Sequence, residues 1–306
     1  MAYAARVRQP GDPISPLFHY PRSESFDDRP IGMFDSGFGG LTVARATIDL
    51  LPAEDLVYLG DTARYPYGSK PQEEVLDYAL QISEHLVDAY DVKMLVVACN
   101  TATAAGLDQI RDAMPVPVMG VIEPGVRATL SATNLDRVGV IGTVGTMSSG
   151  AYEEAFGKID ASVDVVSCAC PGFVEFVERG NIEGTQVQIL AERLLAPVVE
   201  AKVDTLLLGC THYPYLARAI GAAMGPDVVL VSSADETAFA LAHELEVSRL
   251  RHSDPHRAGR HHFISSGDVR AFTVLGEQTP GARTGRCRTM GSLCDLMEEQ
   301  TTNSAR

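Results

Sequence analysis

The sequence predicts an α/β fold in which two doubly wound, mainly parallel sheets face each other, and three observations support this class. Short apolar runs alternate with helical patterns from residue 31 onward. Most of these runs lack polar alternation, as expected for a parallel sheet that is covered on both faces. Residues 94–101 and 205–212 share one pattern, an apolar strand that leads through a small residue to Cys and a polar pair. Two similar halves would bring their strand ends to one cleft, where ligands bind in open α/β sheets.

The apolar runs are predicted strands, and in chain order they are 31–34, 56–59, 94–98, 116–121, 138–142, 163–166, 205–208 and 228–231. The run 163–166 contains Asp164 and is predicted as an edge strand. Helical patterns lie between the strands, at 41–50, 71–89, 102–113, 150–156 and 184–201. Pro71, followed by Glu73 and Glu74, gives one of these helices a favourable first turn. The β-α-β-α order predicts the doubly wound architecture.

Composition narrows the class of protein. The chain has 306 residues, of which 45% are hydrophobic and 21% charged, the balance of a soluble globular protein. No run reaches the ~18 apolar residues of a membrane helix, and the polar start lacks the apolar core of a signal peptide, so we expect a cytoplasmic protein. The net charge of −15 argues against a nucleic-acid partner. Six cysteines without a C-x-x-C pair do not form a disulfide scaffold.

Two cysteines stand out because each follows a predicted buried strand. Cys99 and Cys210 are both followed by polar residues, and helix N–H groups at such a place favour the thiolate. Either one alone is interpreted as a small buried hydrophobe. The matched pair suits a reaction that removes a proton from one face of a carbon and returns one to the other face. Asp35 and His212 can each orient or deprotonate a thiol, although a helix cap and a structural histidine are the simpler interpretations.

The motifs around these residues resemble a known family. They lie at residues 32–42, 60–62 with 66–68, 98–101, 142–146, 170–171 with 176–180, 208–214 and 263–268. In this order they are similar to the motifs of bacterial glutamate racemases, members of the aspartate/glutamate racemase superfamily. The resemblance runs from about residue 31 to 281, and the combination is specific although any single motif is weak.

The resemblance implies two pseudo-symmetric α/β domains with the active site in the cleft between them. It implies that Cys99 and Cys210 are the two catalytic bases, assisted by Asp35 and His212 respectively, in a cofactor-independent reaction without a metal. Glu178 matches a further acidic residue near the site, with a surface charge at a helix end as the alternative. Besides Asp35 and His212, the positions that match substrate-binding residues are Ser36, Tyr67, Gly68, Asn100, Thr101, Thr143, Thr146 and Thr211.

The same resemblance sets the expected domains and biological context. We expect a flexible N-terminal arm at 1–28, a first domain at 29–124 completed by 236–281, and a second domain at 125–235. Residues 282–306 are expected to be a peripheral tail, with a short helix at 290–297. A homodimer is typical of the family, and its product D-glutamate is used in peptidoglycan synthesis.

Four other interpretations remain open at this point. A nucleotide-binding enzyme is suggested by residues 37–42, which approach G-x-G-x-x-G but have Thr42 in place of the third glycine. An aspartate racemase or a related decarboxylase would share the fold, and a two-lobed amino-acid-binding protein would share the cleft. A metal site could combine Cys210 and His212 with the histidine cluster that spans residues 252–262. Pro255 and Gly259 interrupt that cluster, which favours a solvated linker.

Overall fold

The computed structural model of the chain describes residues 26–267 and the backbone of residues 287–289. The secondary structure of this part of the chain alternates between strands and helices. In chain order the elements are β1 (Ile31–Asp35), α1 (Leu41–Leu50), β2 (Leu56–Gly60), α2 (Gln72–Tyr90), β3 (Met94–Val97), α3 (Asn100–Ala113), β4 (Val118–Gly120), α4 (Ile122–Ala132), β5 (Arg137–Gly142), α5 (Val144–Ser148), α6 (Ala151–Ile159), β6 (Asp164–Ala169), α7 (Phe173–Glu178), α8 (Thr185–Glu200), β7 (Thr205–Gly209), a 3₁₀ turn (Tyr213–Leu216), α9 (Ala217–Met224), β8 (Val229–Ser232), α10 (Ser233–Val247), β9 (His261–Ser265) and β10 (Cys287–Thr289).

The strands form two parallel sheets. The first has the order β10-β9-β2-β1-β3-β4 and the second the order β6-β5-β7-β8. The order 2-1-3-4 of the first sheet is therefore repeated as 6-5-7-8, and β3 is equivalent to β7. This confirms the predicted fold class, and it gives the sequence repeat a structural meaning, because the two similar motifs follow equivalent strands.

The predicted strands are all present, with ends that differ by a few residues. The run predicted as an edge strand is β6, which lies at the edge of the second sheet. The histidine cluster is not a single linker, because His261 and His262 belong to β9 and pair with β2. The tail expected at 282–306 includes β10, which extends the first sheet beside β9. The predicted helix at 290–297 and most of the predicted arm lie outside the described residues.

Alternating side chains of the first sheet enter two cores. Ile31 and Met33 of β1 pack in a core with α1, whereas Phe34 packs in a core with α2 and α3. The core on the α1 side continues into the second sheet, where it includes Leu206 and Leu208 of β7. α10 packs against both α1 and α4. The two halves are thus joined by a shared core as well as by the chain.

A buried ion pair lies at the N-terminal end of β3. Lys93 donates from Nζ to Oε2 of Glu54 at 2.6 Å and to the carbonyl oxygen of Asp27 at 2.8 Å. The lysine side chain is fully buried and that of Glu54 is 4% exposed. Oε1 of Glu54 accepts from the backbone N–H of His252, and Asp28 accepts from Ser253. The last residues of the predicted flexible arm are therefore anchored to the body, because they supply acceptors to this cluster and its neighbouring loop.

Candidate active site

A cleft opens where the strand ends of the two sheets meet. Eleven of the thirteen predicted site residues line it, and they are Asp35, Ser36, Tyr67, Gly68, Cys99, Asn100, Thr101, Thr143, Cys210, Thr211 and His212. The first half contributes the ends of β1 and β3, which flank the point where the chain reverses direction across the sheet. The second half contributes the equivalent ends of β5 and β7. The two sheets therefore present two similar strand ends to one space.

Cys99 occupies the position that caps helix α3. Its Sγ accepts a hydrogen bond from the backbone N–H of Ala102 at 3.4 Å, because the residue keeps an extended backbone before the first helical turn. The side chain is 4% exposed. Burial and the neighbouring Asp35 carboxylate raise the pKa of the Cys99 thiol well above its ordinary value, against the opposing effect of the Ala102 and Ser36 N–H groups. In this arrangement Cys99 rests as a thiol.

Cys210 follows β7 and is paired with a histidine. Nδ1 of His212 lies 3.8 Å from Sγ of Cys210, and Nε2 of the same ring lies 3.5 Å from Oε1 of Glu178. Burial lowers the pKa of His212, but Cys210 and Glu178 more than offset this and raise it to about 10. His212 is thus an imidazolium near neutral pH, and it can serve as the counter-ion of a Cys210 thiolate.

Asp35 is buried at the end of β1 and is fixed by the following turn. Its Oδ2 accepts from the backbone N–H of Gly40 at 2.6 Å, and its Oδ1 accepts from the Ser36 hydroxyl at 3.4 Å. The turn passes very close to the other half. A Cβ on Gly39 would lie 2.5 Å from Nδ1 of His212 and 2.5 Å from Oγ1 of Thr211. Glycine at this position lets the backbone of the first half approach the histidine of the second.

A cluster of threonine hydroxyls joins the two halves on another wall of the cleft. Oγ1 of Thr101, from α3, lies 3.1 Å from Oγ1 of Thr143 and 3.1 Å from Oγ1 of Thr146. Thr143 also caps α5 by accepting from the backbone N–H of Thr146 at 3.2 Å. Hydroxyl groups both donate and accept, so this cluster can bind a carboxylate without adding a competing base.

Comparison with known proteins assigns the family. The profile of the Asp/Glu/Hydantoin racemase family matches residues 41–241. A glutamate racemase of Parafrankia sp. is 51% identical over 252 residues, which cover 82% of this chain and 91% of the relative. The chain belongs to the glutamate racemase family. A glutamate racemase isoform of Bacillus anthracis has a similar crystal structure, with a TM-score of 0.81 and 40% identity, over 86% of this chain and 98% of that one. The crystal structure of the Francisella tularensis glutamate racemase in complex with D-glutamate gives a TM-score of 0.80 at 33% identity. The match covers 87% of this chain and 98% of that one.

As a member of the glutamate racemase family, the chain is an isomerase. Two of its predicted site residues lie behind the cleft wall. Thr146 is fully buried, and its hydroxyl contacts those of Thr101 and Thr143, which line the cleft. Glu178, the last residue of α7, lies behind His212, and its side chain is 22% exposed. The carboxylate is therefore more than the surface charge that was the alternative from sequence, because it faces a buried imidazolium.

Tyr67 and Asn100 line the cleft of this glutamate racemase family member, but each has a polar group directed elsewhere. The Tyr67 hydroxyl donates to the fully buried carboxylate of Asp61, which also accepts from Nε of Arg64 at 2.6 Å. The phenol hydroxyl is thus hydrogen-bonded to Asp61. Nδ2 of Asn100 donates to the Tyr152 hydroxyl of the other half at 2.7 Å.

The cleft of this glutamate racemase family member also includes residues that sequence reasoning did not assign to it, among them Tyr65, Cys170, Glu175 and Tyr213. Tyr65 directly precedes the motif at residues 66–68. Its position next to that motif is the sequence signal that could have identified it. Cys170 belongs to the motif at 170–171, and its Sγ lies 3.9 Å from the carbonyl oxygen of Cys168. Glu175 lies one turn before Glu178 on α7.

The described residues contain neither a candidate metal cluster nor a helix that could span a membrane. Within residues 26–267, no group of three or more His, Cys, Asp or Glu side chains is arranged to hold a metal ion. Within the same residues, no helix has both the length and the apolar character needed to cross a membrane.

Proposed function

We propose that the chain interconverts L- and D-glutamate by a two-base mechanism in which Cys99 and Cys210 work on opposite faces of Cα. The observation that carries this proposal is the placement of one thiol at each of two equivalent strand ends that face a single cleft. Each thiol has its own ionisable neighbour, Asp35 for Cys99 and His212 for Cys210. A proton acceptor and a proton donor are therefore available on the two sides of a bound carbon.

The reaction is balanced by one proton on each side. In one direction the Cys210 thiolate takes the Cα proton, the electron pair passes into the α-carboxylate, and the Cys99 thiol returns a proton to the opposite face. In the other direction the thiols exchange roles. The His212 imidazolium provides the counter-ion that the proposed Cys210 thiolate needs, and Cys99 is a neutral thiol. This form is prepared for one enantiomer without any prior proton transfer.

The carbanion is the costly intermediate, because a Cα–H group is a very weak acid. We propose that hydroxyl, amide and N–H groups of the cleft stabilise the charge that develops on the α-carboxylate. The groups assigned to the substrate are Asp35, Ser36, Gly68, Asn100, Thr101, Thr143, Thr211 and His212, with Tyr67 acting through its ring and backbone and Thr146 through the other threonines. We propose glutamate as the substrate because the relatives are named glutamate racemases and the Francisella enzyme was solved in complex with D-glutamate.

The two thiols supply both proton transfers, so we propose a reaction without cofactor or metal. The biological role that we propose is the supply of D-glutamate for peptidoglycan synthesis, in the cytoplasm and by a homodimer. Family membership supports this role. The domain division at 29–124 with 236–281 and at 125–235 is likewise a proposal, which agrees with β9 lying in the first sheet and β5–β8 in the second.

The decisive experiment separates the two faces. Cys99→Ser and Cys210→Ser should each abolish racemisation of glutamate, because serine cannot form an alkoxide near neutral pH. Each variant keeps one competent base. With a substrate analogue that loses a β-leaving group after proton abstraction, Cys99→Ser should process one enantiomer and Cys210→Ser the other.

The control is Cys168→Ser, which keeps a donor to the carbonyl oxygen of Leu194 and lies outside the cleft lining. It should racemise glutamate at the wild-type rate. Assays run with glutamate and aspartate, in the presence of a chelator and without added cofactor, test the substrate and the cofactor-free claim together. A preference of both cysteine variants for the same enantiomer would contradict the assignment of one thiol to each face.

A further inference from the structure

Two enclosed polar atoms, one from each half, face the same carboxylate. Among the described residues, neither the Tyr65 hydroxyl nor Nε2 of His212 has a hydrogen-bond partner of regular geometry, although both atoms are shielded from solvent. Oε1 of Glu178 lies 3.5 Å from the histidine nitrogen. The same carboxylate is the acceptor that the tyrosine hydroxyl faces. Tyr65 comes from the segment between β2 and α2, whereas Glu178 ends α7 on the opposite side of the cleft.

The ring of Tyr65 is held in place by its neighbours. Its centroid lies 6.3 Å from that of His212, with 35° between the ring planes. On another side it packs on the turn after β1, where a Cβ on Gly37 would lie 3.3 Å from the tyrosine Cδ2. Phe38 of the same turn contacts the His212 ring edge-on at 4.9 Å. With the ring fixed between these groups, the hydroxyl has Glu178 as its charged neighbour.

We propose that Tyr65 is a positioning residue for the Cys210 half of the reaction, in which its hydroxyl donates to Glu178 and directs that carboxylate to Nε2 of His212. This inference rests on the proposed function, because it assigns His212 the task of stabilising the Cys210 thiolate. A shielded donor without an acceptor is costly, so a small closure of the cleft that shortens both contacts to Glu178 is favourable. The first half thereby helps to orient the acid–base assembly of the second.

The charges around these groups agree with this role. His212 is faced by Cys210 on its own strand end, by Glu178 from α7 and by Asp35 from β1. Tyr65 is faced by Glu178, Cys210 and Glu175. Burial, together with the Glu178 carboxylate, raises the pKa of Tyr65 far above its ordinary value, so the phenol stays a neutral donor. A neutral donor orients Glu178 without cancelling its negative charge, which is what His212 needs to remain an imidazolium.

The test is a double-mutant cycle between Tyr65→Phe and Glu178→Gln. Phenylalanine keeps the ring packing and removes only the hydroxyl. We expect Tyr65→Phe to lower kcat/KM for glutamate about tenfold, equivalent to about 1.4 kcal/mol. In the Glu178→Gln background the same change should cost less than about twofold, because the carboxylate through which it acts is gone.

A second readout does not depend on catalysis. NMR titration of the His212 imidazole, identified by its loss in His212→Asn, should show about a tenfold larger acid dissociation constant in Tyr65→Phe than in wild type. Tyr78→Phe is the matched control: it removes a tyrosine hydroxyl that bonds Glu74 on α2, and it should change neither readout.

The outcomes separate the inference from the proposed function. Additive effects of the two substitutions, together with an unchanged His212 titration in a wild type that racemises glutamate, would overturn the role of Tyr65. A lowered His212 pKa in Tyr65→Phe, in a protein that does not racemise glutamate, would support the Tyr65–Glu178–His212 chain and reject the proposed function instead.

Discussion

Replacing Lys93 with methionine should destabilise the protein strongly without changing its catalysis. The substitution leaves the Glu54 carboxylate buried, with one backbone N–H as its remaining partner, and it removes the donor to the carbonyl oxygen of Asp27. Breaking a buried pair from one side costs about 3–5 kcal/mol. At about 3 °C per kcal/mol, the Tm should fall by about 9–15 °C.

The catalytic cleft should be unaffected, because Lys93 precedes β3 and Cys99 follows it, at opposite ends of the strand. Circular dichroism melts and urea titrations measure the stability, and kcat and KM at 25 °C measure the site. The double variant Lys93→Met/Glu54→Gln should recover more than half of the loss, since the amide keeps an acceptor for His252 without a buried charge. Lys158→Met, which breaks an exposed pair with Glu154, should cost less than about 0.5 kcal/mol. A loss in Lys93→Met no larger than in this control would refute the reasoning.

Two further predictions concern His212. The pKa of His212 is about 10, so its imidazolium persists through neutral pH and is lost as the pH rises through 10. The kcat/KM of the wild type should therefore fall in that pH range. His212→Asn should be less active and should lack this alkaline fall; if the fall persists in the variant, another group causes it. Gly39→Ala should lower kcat about 100-fold with a native circular dichroism spectrum, because its Cβ would lie 2.5 Å from the His212 ring, whereas Gly157→Ala, which meets no atom within 4 Å, should keep full activity.

Much of the fold could be predicted from sequence because burial on both faces leaves a clear signal. The strands are continuous apolar runs, and the repeated motif around Cys99 and Cys210 indicates two equivalent strand ends. Features without such a signal were missed. β10 contains the charged Arg288 and a threonine, and nothing in that composition indicates a parallel edge strand. The anchoring of Asp27 depends on the buried Lys93, which cannot be distinguished from a surface lysine in the sequence.

The candidate site likewise contains residues that the sequence could place and residues that it could not. Residues in motifs on strand ends could be placed from sequence, because the ends of parallel strands meet at one edge of a sheet. Contacts between the halves could not, because they depend on how two loops approach each other in space. Tyr65 is the clearest case, since its ring meets His212 from the opposite half. For Tyr67 the motif predicted a position in the cleft, but it did not predict that the hydroxyl donates to Asp61.

The unlike surroundings of the two thiols have a consequence for the unliganded protein. Under the two-base proposal, each conversion exchanges the protonation states of the two cysteines. The enzyme that releases the product therefore cannot convert a second molecule of the same enantiomer. The protein must exchange protons with solvent before it can repeat the conversion. Burial and the neighbouring Asp35 carboxylate disfavour the resting form that carries a Cys99 thiolate. Enantiomers have equal free energies, so kcat/KM must be equal in both directions. The asymmetry must therefore appear in kcat and KM separately, and in how fast the empty site resets at high substrate concentration.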